Sequence, residues 1–360
     1  MTIPTLTISK VAAQAVTAPL TRPIRTAVGT IPSAPLVLID VETREGVTGR
    51  AYIFAYTATA LPALRRLVID IGAELEGKSA VPADIMRFFD RRFRLLGWQG
   101  LVGMVISGLD MALWDALGRA AGEPVVRLLG GEVKALPAYD SFGVIDPSAD
   151  ADIILQSVAM GFKAIKIKLG DGDVSRDIST VMAVRKLIGP DIKLMVDFNQ
   201  SLNVPDAIDR IQHLEAFDLH WIEEPVHAED LQGHADVRRA TGAKIQTGEN
   251  WWFPAGMAAS IAIGASNHAM PDLMKIGGVT GWLEAARLAA TAGLPVSSHL
   301  FLEASSHVMA VTPTAHFVEW LDVAGAILSE PYKAVNGTVS ARGPGLGLEW
   351  NSTAVTRFAL

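Results

Sequence analysis

Short apolar runs that each end in one polar or charged residue recur between Ser141 and Glu319 at a nearly constant spacing. The closing residues are Ser141, Lys168, Asp197, Glu223, Glu249, Asp272, His299 and Glu319, separated by 27, 29, 26, 26, 23, 27 and 20 positions. One strand and one helix of a (β/α) barrel together take about 30 residues. The period therefore predicts eight βα units and gathers the eight closing side chains on one rim. The predicted strands are LPAYDS, FKAIKIK, IKLMVD, LHWIE, KIQTGE, AMPDLMK, PVSSH and AHFVE. Helical stretches separate them, as at 175–188, where Ile178, Val181, Met182 and Ile188 fall at helical spacing. Strictly alternating βα units predict a parallel sheet, closed into a barrel.

Residues 1–130 do not follow this period. ISKVAAQAV and PLVLIDVET read as strands, and 57–77 and 99–121 as helices. In the second helix Met104, Gly108, Met111 and Leu113 mark an apolar face, and Asp110 and Asp115 beside them read as local hydrogen-bonding groups. This segment is expected to be a separate α+β domain. GPGLGLEW at 343–350 lacks the strand–turn–helix setting of a dinucleotide loop. It reads as a loop returning toward the first domain, so 330–360 is assigned to that domain and 131–329 to the barrel.

The bulk composition narrows the function. At 360 residues there is room for the barrel and a second domain. Half the residues are hydrophobic and only 19% charged, which suggests extensive burial and a homo-oligomer. The net charge of −7 comes from interspersed acids and bases, and no basic stripe exists to follow a phosphate backbone, so nucleic acid is not an expected partner. Without cysteine there are no disulfides or thiolate metal sites. No run approaches 18 apolar residues, so no membrane-spanning helix is expected. The N-terminal stretch does not read as a signal peptide, and a cytoplasmic location is expected.

Three consecutive closing residues, Asp197, Glu223 and Glu249, are carboxylates at equal spacings of 26. Singly each would pass for a solvated acid. Brought together they would repel without a cation, and an all-oxygen ligand set suits Mg²⁺. Glu224, next to Glu223, would face the other side of its strand. Lys166 and Lys168 stand two apart on one strand and so share a face, where mutual repulsion and desolvation would lower their pKa values toward those of bases. His299 and Asp272 close neighbouring strands, so the carboxylate could fix the imidazole tautomer and raise its basicity. Glu319, if kept protonated by burial among other acids, could donate to a substrate oxygen.

These residues lie in KIK at 166–168, VDFNQ at 196–200, WIEEP at 221–225, TGEN at 247–250, PDLMKIGG at 271–278, SSHL at 297–300 and AHFVEW at 315–320. With TAVGT at 26–30, FAYT at 54–57 and GLDMALWDALG at 108–118, they make the chain resemble the enolase superfamily, and within it the mandelate racemase group, over nearly its whole length. The resemblance implies an α/β fold, a modified (β/α) TIM-type barrel, closed by an α+β capping domain. It implies Mg²⁺ on Asp197, Glu223 and Glu249, and a small carboxylate substrate. It further implies Lys168, with Lys166 beside it, as base on one face and His299, oriented by Asp272, on the other. Glu319 would hydrogen-bond the substrate carboxylate, with Ser141 and Asn199 as supporting contacts.

Such an arrangement implies 1,1-proton transfer through an enediolate, inverting the stereocentre of a 2-hydroxy acid. Ile24, Val28, Ile31, Phe54 and Tyr56 in the cap, with Leu300 and Leu321 on the rim, make an apolar lid suited to an aryl or other apolar side chain such as that of mandelate. Two positions depart from the group's pattern: Phe142 and Arg25 stand where it has histidines, and either could alter the lid. The alternatives are an acid-sugar dehydratase on the same scaffold, in which His299 protonates a departing hydroxyl, and a non-catalytic binding barrel.

Overall fold

A computed structural model describes residues 5–26, 29–170 and 172–360. The N-terminal region forms a three-stranded antiparallel sheet in the order β1 (Ile8–Thr26), β2 (Gly29–Thr43), β3 (Thr48–Phe54). Helices α1 (Leu61–Ala73), α2 (Pro82–Arg92) and α3 (Leu101–Ala121) cover it, and a short α4 (Val125–Leu128) leads out. Both sequence-predicted strands and both helices are present, with α1 starting later than expected because Pro62 sits in its first turn. The third strand and α2 were not foreseen. β3 is buried on both faces and so shows no alternation, while α2 buries only Pro82, Ile85 and Phe89 among its charges.

Helix α3 is long and apolar enough to cross a membrane (mean hydropathy 1.4), contrary to the expectation from the sequence, but 83% of that stretch is buried inside the protein. It is the core of the cap. Of its two acids, Asp115 bonds locally as expected, to Arg119 one turn on, and both also reach beyond the helix. Asp110 accepts from the backbone N–H and hydroxyl of Thr280 in the barrel. Asp115 accepts from the N–H groups of Arg50 in β3 (2.7 Å) and Leu346 in the returning loop (2.6 Å), and pairs with Arg119. Gly278 is required at the first contact: a Cβ there would meet Asp110 Oδ2 at 2.5 Å.

The barrel strands are β4 (Leu136–Val144), β5 (Ala164–Lys168), β6 (Lys193–Asp197), β7 (Ile222–Glu223), β8 (Ile245–Thr247), β9 (His268–Ala269) and β10 (Val318–Trp320). They pair in parallel in the order β10-β4-β5-β6-β7-β8-β9. The expected seventh strand exists only as bridges of Val296 to Ala269 and Ala315, and of His299 to Asp272, which close the ring between β9 and β10. Pro295 has no N–H to add to that ladder. The expected sixth strand is also shorter than predicted: after Ala269 the chain leaves the ladder, and Asp272 to Lys275 form a turn with Met274 N–H on Asp272 Oδ1.

The crossover helices are α5 (Ala151–Ala159), α6 (Val174–Ile188), α7 (Val204–Leu214), α8 (Leu231–Thr241), α9 (Phe253–Ile263), α10 (Gly278–Ala292) and α11 (Leu302–Val311). β10 is followed by a single 3-10 turn (Gly325–Ile327) in place of a crossover α-helix. The chain then places β11 (Thr338–Val339) against β4 and ends in α12 (Ser352–Phe358), with Leu360 N–H on Ala15 of the cap. Tyr139, Ala164, Met195, Trp221 and Phe317 fill the barrel interior and make it a packed floor rather than a pore.

Candidate active site

Lys168, Asp197 and Glu223 end their strands, and Ser141, Glu249, Asp272 and Glu319 lie within a few residues of the C-terminal ends of theirs, with His299 bridged to Asp272, on the rim that carries active sites in such barrels. Above the rim is a cavity of about 690 Å³. Ser141, Lys166, Lys168, Asn199, Glu249, His299, Leu300, Glu319 and Leu321 line it from the barrel. Ile24, Ile31, Phe54 and Tyr56 line it from the cap, as the lid prediction required. Val28, placed in the same lid loop from the sequence, lies outside the described residues.

Lys166 and Lys168 project inward from β5, while Ile165 and Ile167 face the outer helices. Asp197 and Glu223 lie fully buried beneath them. The three carboxylates do not enclose one ion-sized point as they stand. Each is drawn on to a base: Asp197 to Lys168, Glu223 to Lys166, and Glu249 Oε2 to His299 Nε2 at 3.3 Å. Trp221 Nε1 donates to Glu223 at 3.1 Å, and Asn199 donates twice to Asp197. Oxygen-only donors converging on one floor, each needing positive charge, fit a hard divalent cation in the position the bases now neutralise. Glu224 does not line the cavity and accepts from Asn250 Nδ2 at 2.9 and 3.1 Å, the same amide that reaches Glu249 Oε1.

His299 Nδ1 lies 2.6 Å from Asp272 Oδ2, so the predicted orienting pair is present. Around the ring, Lys168 ends the second barrel strand and His299 the seventh position, with the carboxylate-bearing strands on one arc between them and Ser141 and Glu319 on the other. The two bases therefore approach the cavity from different sides.

The electrostatics differ from the sequence-based expectation in two respects. Burial and Lys166 do push the Lys168 ammonium down, but the adjoining Asp197 carboxylate outweighs them and its pKa is raised. Lys166 behaves likewise: burial lowers its pKa, and Glu223 and Glu319 raise it further. For His299, burial is overcome by Glu249 and the bond to Asp272, which carry it up to about 9. Glu319 is not held protonated. Burial raises its pKa, but Lys166 (3.1 Å away), His299 and the N–H of Leu300 bring it down to about 2.

The two departures in the lid also have a different role from the one expected. Arg25 pairs with Asp150 at 3.0 Å, and Phe142 is buried under the Arg22 guanidinium, 4.0 Å from its ring centre, outside the cavity. Arg22 itself clasps Asp140 and the Ser141 carbonyl. Together these groups pin the β1–β2 hairpin to β4. Gly143 permits that approach, since a Cβ would lie 2.3 Å from the Arg25 carbonyl.

Lys275 is a cavity residue that the sequence reading missed. On a continuing strand it would point away from Asp272, three positions earlier. The turn that replaces the strand brings it to the same side.

Residues 8–130 match the family described as mandelate racemase / muconate lactonizing enzyme, N-terminal domain, and residues 150–354 the enolase C-terminal domain-like family. The chain belongs to the enolase superfamily and is an isomerase/lyase-type enzyme of it. An enolase from Bradyrhizobium, solved with magnesium and mandelic acid, is 56% identical, with TM-score 0.98 over 100% of both chains. D-galactarolactone cycloisomerase of Agrobacterium fabrum is 34% identical over 73% of this chain and 76% of its own. L-talarate/galactarate dehydratase of Salmonella typhimurium is 29% identical, over 84% and 77%. Like the Bradyrhizobium enzyme, an enolase from alpha proteobacterium BAL199 (40% identical, TM-score 0.95, 99% and 100% covered) holds magnesium, the cofactor of this superfamily.

Proposed function

We propose that the protein racemises an aryl or similarly apolar 2-hydroxy acid, mandelate being the lead, by 1,1-proton transfer. The observation that carries this reading is the placement of Lys168 and His299 on different sides of one cavity, each beside a candidate Mg²⁺ ligand. Asp197, Glu223 and Glu249 would hold the ion. Bound there, Mg²⁺ supplies fixed positive charge that stabilises an enediolate as it develops.

The chain's own residues do the rest. With their charge matched by a cation, Asp197 and Glu249 would no longer hold Lys168 and His299 protonated, and burial would lower both toward the range of working bases. One takes the α-proton and the other returns a proton to the opposite face. Lys166 places an ammonium at the substrate carboxylate. Glu319, held ionised by Lys166 and His299, would share a proton with a second carboxylate beside it, because like charge raises its pKa. Ser141 and Asn199 add polar contacts. Ile24, Tyr56, Leu300 and Leu321 cover the side chain, and a sugar acid's hydroxyls would be costly to bury against them. The mandelic acid bound by the Bradyrhizobium enzyme supports the same choice.

The dehydratase among the relatives supports a second reading, loss of a β-hydroxyl from a sugar acid with His299 as acid. Incubation with R- and S-mandelate plus Mg²⁺, followed by chiral chromatography, tests the first reading. A keto-acid assay over a set of sugar acids tests the second. Inversion of neither mandelate enantiomer, with keto acid formed from a sugar acid, would replace the first by the second.

A further inference from the structure

Lys275 lies between the cap and the candidate metal ligands, and its contacts run in both directions. Its ammonium donates to Asn250 Oδ1 at 2.6 Å. The amide of Asn250 in turn donates to both oxygens of Glu224 and reaches Glu249 Oε1 at 3.5 Å. On the other side the same ammonium stands 5.0 Å from the centre of the Tyr56 ring. Lys275 is 7% exposed, and Asn250 and Tyr56 are the partners of its charged end.

Tyr56 is held in an unusual backbone conformation, φ +58°, which is unfavourable for a non-glycine residue and persists only where the surroundings enforce it. Its ring packs on Phe54 at 4.7 Å and on the Lys275 ammonium, and both partners line the cavity. A lid residue, a buried cation, an amide and a metal-ligand carboxylate thus form one continuous chain of contacts.

We propose that Lys275 is a positioning residue that couples closure of Tyr56 over the cavity to the presentation of Glu249 for Mg²⁺. The proposal rests on reading Glu249 as a ligand. Lys275 fixes the Asn250 amide so that its Nδ2 group faces Glu224 and Glu249, and the Tyr56 ring fixes Lys275. Loosening either end loosens the other, because binding free energies linked through one element are reciprocal.

Calorimetric titration of the full-length protein with Mg²⁺ tests this. Lys275→Met is expected to weaken Mg²⁺ binding by about 10-fold, the lower end of the range for losing a direct partner of a metal ligand, since Lys275 reaches Glu249 only through Asn250. Tyr56→Leu, which touches no carboxylate, is expected to weaken it several-fold. The double variant should bind as weakly as Lys275→Met alone, and Lys275→Arg should recover most of the affinity, since it keeps a cation over the ring and a donor to Asn250. For Lys275→Met, the loss in turnover should be larger at low than at saturating Mg²⁺. Penalties that add in the double variant, or Mg²⁺ affinity unmoved by Tyr56→Leu, overturn the coupling. If Lys275→Met does not fold, Tyr56→Leu alone and Lys275→Arg still decide it. Mg²⁺ binding that Glu249→Gln leaves unchanged would sink the ligand reading itself, which is a separate result.

Discussion

His299 and Asp272 meet edge to edge: Nδ1 of the ring is 2.6 Å from Oδ2 of the carboxylate, which leaves Nε2 facing Glu249 and the cavity. Asp272 is wholly buried and spends its other oxygen on the N–H of Met274, so it has little freedom to turn. The ring is thereby aimed from behind, as a proton-transferring imidazole must be. Lys168 approaches from another strand and pairs with a different carboxylate, Asp197. Two bases held by independent supports can be removed one at a time.

His299→Asn should therefore stop inversion while Lys168 still exchanges the α-proton of one mandelate enantiomer with solvent. Racemisation is expected to fall at least about 10²–10⁴-fold, the usual worth of a positioned acid–base group. Proton NMR in D₂O, run separately on each enantiomer, reads the exchange. If a folded, Mg²⁺-loaded variant exchanges neither enantiomer, the two bases are not independent and the mechanism is wrong.

Glu319→Gln tests the role of that carboxylate in a different way. Glu319 is ionised beside Lys166, 3.1 Å away. The amide is nearly isosteric but cannot share a proton with a substrate carboxylate. We expect kcat to fall by about 10²–10³, the range for losing one group aimed at developing charge, with KM changed far less. A rise in KM alone would mean that Glu319 only binds.

The periodic series of rim residues was legible because a parallel barrel repeats one unit and puts each chemical group at the same place in it. Less regular features were not. Lys275 was hidden because the sixth strand stops at Ala269, and a turn reverses the direction that strand alternation would give. The ionisation of Glu319 and the raised Lys168 depend on which opposite charge lies nearest, and that follows from strands far apart in sequence: Lys166 and Glu319 are partners across the closure of the ring. Arg25 and Phe142 read as lid residues by position, yet Asp150 and Arg22, which claim them, are identifiable only once the hairpin is folded on to β4.

Asp115 is expected to matter for stability although it is remote from the chemistry. Its oxygens satisfy the Arg50 and Leu346 N–H groups and pair with Arg119, joining the core helix, the cap sheet and the returning chain. Asp115→Ala leaves two donors and a guanidinium without their shared acceptor. Breaking a buried pair of this kind costs about 3–5 kcal/mol, and denaturant unfolding should show it as a lower midpoint. A change below about 0.5 kcal/mol, the size of a neutral surface substitution, would show that water or a neighbour replaces the carboxylate.

At the opposite end of the barrel from the site, His220 and His316 bring their Nε2 atoms within 3.3 Å, and His268 packs beside both. Burial, then Lys193 and the neighbouring rings, push His220 down to about 3; burial and Lys244 push His268 to about 4, and burial with His268 does the same for His316. All three are neutral in the fold at pH 7, as they are for the most part in the unfolded chain, where imidazole titrates near 6.5. The sign of the effect follows directly. As pH falls below about 6.5 the unfolded chain takes up protons that the folded protein refuses until about pH 4, so stability drops across that window. One pKa unit corresponds to about 1.4 kcal/mol, and partial exposure of His220 and His316 to solvent reduces their share. Replacing His220 and His316 with Asn should flatten the dependence of the urea midpoint on pH between about 6.5 and 4, with little change in turnover at neutral pH. Parallel curves for variant and parent would place the acid sensitivity elsewhere, with the buried carboxylates around Lys166 the first group to examine.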